Sequence, residues 1–189
     1  MDRVKQLLNE EGKYKLSADI MDKFLAKADL IVLKKDQAVV DEGEVNKDIY
    51  IVKDGIIAYT YMDGSDERCY AFALPASIIF SSASYYMGEP SFYRIVACTQ
   101  TELLHVSQRD YDEMIRTYPE FAQYVLSIAI NQLYLIERKN IVINGTTTEK
   151  FQQLLKNRPE IVRSVTSKLI ASYLGITQQH LCRLKRQLM

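Results

Sequence analysis

The spacing of apolar residues divides the chain into a helical start, a strand-rich middle and a helical end. Residues 1–29 read as helical. Ser17 is placed to cap a helix whose apolar face is Ile20, Met21, Phe24 and Leu25. From Leu30 the helical period is lost. The runs at 30–33 and 38–40 are wholly apolar and too short for helices, so they predict strands. Two β-rich runs, 49–52 and 56–61, are joined through Lys53-Asp54-Gly55, which predicts a hairpin. A second hairpin turns at Asp63-Gly64-Ser65-Asp66 and returns over 68–74, where Pro75 ends it. A Ser- and Tyr-rich stretch, 81–93, precedes two more strands at 95–98 and 102–106. Short strands joined by turns predict a small antiparallel roll or barrel.

Helical spacing resumes at 110–116, and Pro119 suits the first turn of a long helix reaching about residue 143. That helix carries two apolar stripes. One is Ala122, Leu126, Ala129, Leu133, Ile136 and Ile143, with Asn140 completing a heptad-like spacing. The other is Phe121, Val125, Ile128 and Leu135. A helix on the surface of one domain needs one stripe. Two predict packing on two sides, with Leu126, Ala129, Leu133 and Ile136 as the seam of a homodimer; burial within one domain is the alternative. Asn144-Gly145 then breaks the helix. Thr147 or Thr148 can cap the next, whose buried face is Phe151, Leu154 and Leu155 and whose end is Asn157-Arg158-Pro159.

The last stretch, SKLIASYLGITQQHLCRLKRQL at 167–188, reads as a helix-turn-helix. Ile170, Ala171 and Leu174 form one apolar face, and the small Ala171 lets two helices cross closely. Gly175 can take the left-handed conformation that ends a helix, and Ile176 plugs the corner. Thr177 caps a second helix with Leu181, Leu184 and Leu188 buried. Its outward face carries Gln178, Gln179, Arg183 and Arg186, side chains whose paired donors and acceptors match adenine and guanine edges.

Charge supports that reading. The chain is neutral overall, but residues 1–149 hold 16 Lys+Arg against 23 Asp+Glu, while residues 150–189 hold 8 against 1. A segment of net +7 beside one of net −7 is the footprint of a phosphate-binding module, double-stranded DNA being the expected partner. Cys69, Cys98 and Cys182 form no CxxC pair, which argues for a reducing compartment. With no apolar run behind a basic start and no 18-residue apolar stretch, neither a signal peptide nor a membrane span is expected, so the location expected is cytoplasmic.

The order of roll, long helix and helix-turn-helix resembles the catabolite activator (CRP/FNR) family of bacterial transcription regulators. The likeness is most specific in VVDEGEVNKDIYIVKDGIIAYTY (39–61), LLHVSQRDYDEMIRTYPEF (103–121) and the helix-turn-helix. It implies an α+β fold in three parts. Residues 1–118 would be an effector-sensing domain with a cyclic-nucleotide-binding-like jelly roll, 119–144 a dimerisation helix, and 145–189 an all-α DNA-binding domain. It further implies RNA polymerase as a partner. Thr177 holds the family's start of the reading helix, Gln178, Gln179 and Arg183 its reading positions, and Thr166, Ser167 and Lys168 the start of the preceding helix near phosphates. Lys185 and Arg186 complete the expected DNA-binding set.

The sequence departs from the family in three places. Members that bind cyclic AMP hold it with a Gly-Glu-Leu run and an Arg-Ser pair; here those places are Phe80-Ser81-Ser82 and Ser91-Phe92. The adenine-contacting Thr-Ser falls at Ile136-Glu137. An effector other than cyclic AMP is therefore expected, with Ser81, Ser82, Ser91, Arg94 and Glu137 as candidate contacts and Tyr59, Tyr61, Tyr85, Tyr86 and Tyr93 as candidate cavity walls. The cysteines cannot supply the N-terminal cluster of iron–sulfur members, and His105 and His180 have no partner at metal-ligand spacing, so no metal is expected and no cofactor is assigned. Many members continue into a β-hairpin wing where this sequence stops at Met189, from which modest DNA affinity is expected. No nucleophile–base pair or glycine-rich phosphate loop points to an enzyme. Two function classes remain: a dimeric DNA-binding regulator, or a ligand sensor whose C-terminal helices bind protein.

Overall fold

The computed structural model describes residues 1–11, 13–142 and 146–189, with side-chain surroundings for all of these except 11 and 138–142. Helices α1 (Asp2–Glu11) and α2 (Ala18–Leu25) open the chain, and Ile20, Met21, Phe24 and Leu25 are all buried. Ser17 stands at the N-cap of α2 but makes no capping bond. Its amide and hydroxyl both donate to the Glu120 carboxylate, the hydroxyl at 3.1 Å, and the charged acceptor ties α2 to the long helix instead.

The strands are β1 (Asp29–Leu33), β2 (Ala38–Val40), β3 (Ile49–Asp54), β4 (Ile57–Asp63), β5 (Asp66–Ala73), β6 (Ile78–Ile79), β7 (Arg94–Ala97) and β8 (Thr101–Val106). The described residues form two four-stranded antiparallel sheets, ordered β1-β8-β3-β6 and β2-β7-β4-β5. The β4–β5 hairpin follows the sequence reading, with Asp63 opposite Asp66 across Gly64-Ser65. The first predicted hairpin does not form. β3 and β4 lie in different sheets, and Asp54-Gly55 is a corner between them. Gly55 holds φ +95°, and a Cβ there would sit 2.4 Å from the Thr101 hydroxyl, so the turn needs glycine for both angle and space.

Strand alternation distributes side chains among three cores. On β3, Ile49 and Ile51 face the N-terminal helices, while Tyr50 and Val52 face the space between the sheets. On β7, Ile95 and Ala97 face inward, while Val96 and neighbouring Cys98 face the C-terminal helices. Both faces of these strands are buried, which is why their sequence reads as unbroken apolar runs. Edge strand β1 is the exception, with Leu30 and Val32 exposed on its outer side.

Beyond the roll come α3 (Gln108–Thr117), α4 (Pro119–Val142), α5 (Thr147–Asn157), α6 (Pro159–Ser164), α7 (Ser167–Leu174) and α8 (Gln178–Leu188). On α4, Phe121 is buried, Val125 and Ile128 pack against the N-terminal core, and Leu126, Leu133 and Ile136 are exposed. Leu135, expected on the inner stripe, is also exposed. The Asn140 side chain and residues Ile143, Asn144 and Gly145 fall outside the described residues. The cap of α5 is Thr146, one residue before the expected pair. Its hydroxyl accepts the Glu149 amide at 3.3 Å and the Glu149 carboxylate accepts the Thr146 amide at 2.8 Å, a reciprocal capping box. Pro159 ends α5 as expected, but it also opens α6 at the first helical position.

Candidate nucleic-acid interface and the neighbouring cavity

The α7–α8 unit has the local geometry that its residues dictate. The Thr166 hydroxyl accepts the Leu169 amide at 3.4 Å and caps α7. Gly175 takes φ +70°. Its amide donates to the Ser172 carbonyl at 3.0 Å and the Ile176 amide to the Ala171 carbonyl at 2.9 Å, the paired bonds of a Schellman stop. A Cβ at Gly175 would meet nothing within 4 Å, so glycine is required for its dihedral and not for space. The Thr177 hydroxyl accepts the His180 amide at 3.2 Å and starts α8. Ile170, Ala171, Leu174, Leu181 and Leu184 are buried together with Phe151, Leu154, Ile161, Val162 and Val165.

Most of the expected DNA-binding residues are open to solvent. Thr166, Lys168, Thr177, Gln178, Gln179, Arg183 and Arg186 are exposed. Ser167 and Lys185 are half-buried, and the Lys185 ammonium donates to the Ser167 hydroxyl at 3.3 Å, joining the start of α7 to the third turn of α8. The sequence reading passed over Cys182. It is exposed and lies one turn from both Gln178 and Arg186, on the same face. No carboxylate occurs on α8, so nothing on the helix neutralises its arginines.

α7 is docked on the roll. Its Ser172 hydroxyl accepts the Cys69 amide of β5 at 2.8 Å, and the Tyr173 ring meets Phe72 at 5.1 Å. Arg158, between α5 and α6, donates from Nη1 to the Phe72 carbonyl at 3.3 Å. Ile56, Ala58, Cys69, Phe72, Val96 and Cys98 of the roll share one apolar core with α5–α8. Burial there pushes the Cys98 thiol up to about 12, with nearby Asp36 adding to the rise. Beside this junction is a cavity of about 640 Å³, walled by Tyr61 and Tyr70 of the β4–β5 hairpin, Leu135 of α4, one face of α5, Arg158, and α7 through Gly175.

The candidate effector contacts are not among those walls. Ser81, Ser84 and Ser91 are buried, and their hydroxyls are engaged locally. Ser81 accepts the Ser84 amide at 3.3 Å, Ser84 donates to the Glu89 carbonyl at 2.9 Å, and Ser91 donates to the Tyr93 carbonyl at 2.8 Å. Ser82 and Glu137 are exposed, and Arg94 pairs with Asp41 at 3.0 Å. The tyrosines divide. Tyr59, Tyr61 and Tyr93 cluster, with Tyr70 stacked on Tyr93 at 5.0 Å. Tyr85 donates instead to Asp112 at 2.6 Å, and Tyr86 projects outward. His105 meets Asp48 at 2.9 Å, and Asp48 also accepts the Gln108 amide at 3.0 Å, a structural pairing at the entry to α3.

Residues 30–118 match the family model of the cyclic nucleotide-binding domain. No curated protein matches the sequence. Among solved structures, the chain is similar to the catabolite activator protein of Thermus thermophilus, at 18% identity over 92% of this chain and 84% of that one, with a TM-score of 0.59. It is also similar to CLP, a c-di-GMP responsive global regulator of Xanthomonas campestris, at 15% identity over 91% of each chain and a TM-score of 0.71. FixK2 of Bradyrhizobium japonicum matches at 18% identity over 85% and 84%, with a TM-score of 0.70. Residues 30–118 are therefore a domain of the cyclic nucleotide-binding family, and the chain as a whole has the α+β fold of the catabolite-activator type of regulator.

Proposed function

We propose that the protein is a homodimeric transcription regulator that reads double-stranded DNA through α8 and responds to a small molecule other than cyclic AMP. The observation that carries the reading is the capped α7–turn–α8 unit with Gln178, Gln179, Arg183 and Arg186 exposed on one acid-free helix. Two such helices in a dimer would enter successive major grooves if spaced about one helical turn, ~34–36 Å. Arg183 is the specificity contact, because a bidentate arginine–guanine pair discriminates by ~1–3 kcal/mol. Lys168 and Arg186 contact phosphate, which carries no direct sequence information. RNA polymerase as a partner and a cytoplasmic setting belong to the same reading.

Cyclic AMP is set aside because the anchors for its phosphate are replaced by Ser81, Ser82 and Ser91. Charge-assisted hydrogen bonds lost there are worth ~1.5–3 kcal/mol each. Calorimetry should detect no sub-micromolar cyclic AMP binding. A binding selection on random DNA, repeated with Arg183→Ala, tests the reader. The expected result is a two-fold symmetric site whose preference is lost at one position of each half. An unchanged preference with binding intact would remove α8 from the role. A second reading, a sensor whose C-terminal helices bind protein, draws on the packing of α7 against β5. It predicts no salt-dependent DNA binding at all.

A further inference from the structure

The two helices of the α7–α8 unit are tied at both ends. At one end the Gly175 turn joins them along the chain, and its two backbone bonds close α7. At the other, Lys185 reaches across from the third turn of α8. Its ammonium donates at 3.3 Å to the hydroxyl of Ser167, the first residue of α7. Lys185 lies one turn from Leu181 and from Leu188, which belong to the shared apolar core, so it stands at the border of the packed face. It is half-buried, as Ser167 is, whereas Arg183 and Arg186 are exposed. Neither helix carries a carboxylate, so the unit offers this ammonium no ion pair in place of the hydroxyl. Between the two ties the contact is apolar, through Ile170, Ala171, Leu174, Leu181 and Leu184. Apolar contact is non-directional, whereas a hydrogen bond has a preferred length and angle.

We propose that Lys185 is a positioning residue of the reading helix and not a phosphate contact: its bond to Ser167 sets the angle of α8 on α7, and so the place of the Arg183 guanidinium. The inference rests on the reading of α8 as the DNA-contacting helix. It withdraws Lys185 from the residues expected to touch DNA directly. Arg183 lies two residues before Lys185 on the same helix, so a roll of α8 on α7 carries its side chain along. A bidentate contact to guanine needs two donors in register with two acceptors. Such a constellation has to be held within roughly 0.5 Å and 10–20°. Phosphate contacts carry no direct sequence information, so loosening α8 weakens the preferred site more than a scrambled one.

Binding of the full chain to its selected duplex and to a scrambled one, across a range of salt, separates the two roles. Lys185→Met should weaken the selected duplex by roughly two- to tenfold, the loss expected for one hydrogen bond. The ratio of selected to scrambled affinity should fall with it, while the slope of affinity on salt stays nearly unchanged. Ser167→Ala should do the same, and the double variant should bind no more weakly than either single one. Lys185→Arg keeps a donor of similar reach and should restore most of the ratio. A slope reduced by ~0.9, with equal losses on both duplexes, would make Lys185 a phosphate contact and overturn the proposal. So would additive losses in the double variant, or a ratio that Lys185→Met leaves intact. Amide hydrogen exchange without DNA is the second readout. Lys185→Met should speed exchange in the first turn of α7 and the last turn of α8, and unchanged protection would also overturn the proposal. If the unaltered chain shows no salt-dependent DNA binding, α8 is not the reader, and the role given to Lys185 falls with it whatever the exchange result.

Discussion

The two faces of α4 are equally apolar and meet opposite fates. On the inner face, Phe121 and Tyr124 are buried; Phe121 packs on Phe24 at 4.7 Å and Tyr111 at 5.5 Å, and the Tyr124 hydroxyl donates to the Leu8 carbonyl at 3.0 Å. On the outer face, Leu126 and Leu133 are each 61% exposed and Ile130 57%. The inner face is covered by elements of its own chain, α1, α2 and α3. Among the described residues nothing covers the outer face, and a contiguous apolar arc of this kind is what the proposed dimer would bury. The energy of the inner face is therefore intrinsic to the fold, while in the proposed dimer that of the outer face would depend on protein concentration.

Truncation of the covered face has the largest expected effect. Phe121→Ala removes a ring from a closed aromatic cluster and should cost about 3–5 kcal/mol, read as a lower denaturant midpoint. A loss under about 1 kcal/mol would mean that the cluster rearranges to fill the space. Leu133→Glu should act next most strongly, and on a different observable. The side chain is open in the single chain, so unfolding of the monomer should change by no more than about 0.5 kcal/mol. In the proposed dimer the charge would be desolvated without a partner. Light scattering should then report monomers where the unaltered chain is dimeric. A mutant that stays dimeric at micromolar concentration would move the interface elsewhere. Tyr124→Phe, a smaller change on the covered face, removes the hydroxyl's bond to the Leu8 carbonyl, for about 0.5–1.5 kcal/mol.

The same distinction explains what the sequence disclosed. The β4–β5 hairpin was legible because a two-residue turn fixes its own strand pairing. Asp54-Gly55 was legible as a turn but not as a corner, because sheet choice depends on β6 and β8, more than twenty residues away. The Ile78–Ile79 strand is too short to show a period, and α6 hid behind Pro159, which both stops one helix and starts another. At the candidate interface, Thr166, Gly175 and Thr177 act within a few residues of themselves, and their placement follows from local rules. The cavity is the opposite case. Its walls come from β4, β5, α4, α5 and α7, and no local pattern assembles them. The available signal was polar Lys150, Gln153 and Asn157 on the same side of α5 as buried Leu154.

The smallest expected effect belongs to a device that needs no tertiary cover. The Glu149 carboxyl lies below the usual carboxylate range because it accepts the Thr146 backbone amide, with the Thr146 side chain contributing further. A carboxyl whose folded value is depressed adds stability above its unfolded value, about 4.3, and that stability is lost as pH falls through the folded value. The group is exposed, so the contribution is modest and screened by salt. Glutamine can occupy the same position of a capping box but carries no charge to lose. Stability measured for the unaltered chain and for Glu149→Gln should therefore differ by a constant amount above about pH 5 and converge as the pH drops below about 4. Equal separation from pH 7 to pH 3 would mean that the carboxylate charge contributes nothing, and that the neutral hydrogen bonds alone start α5.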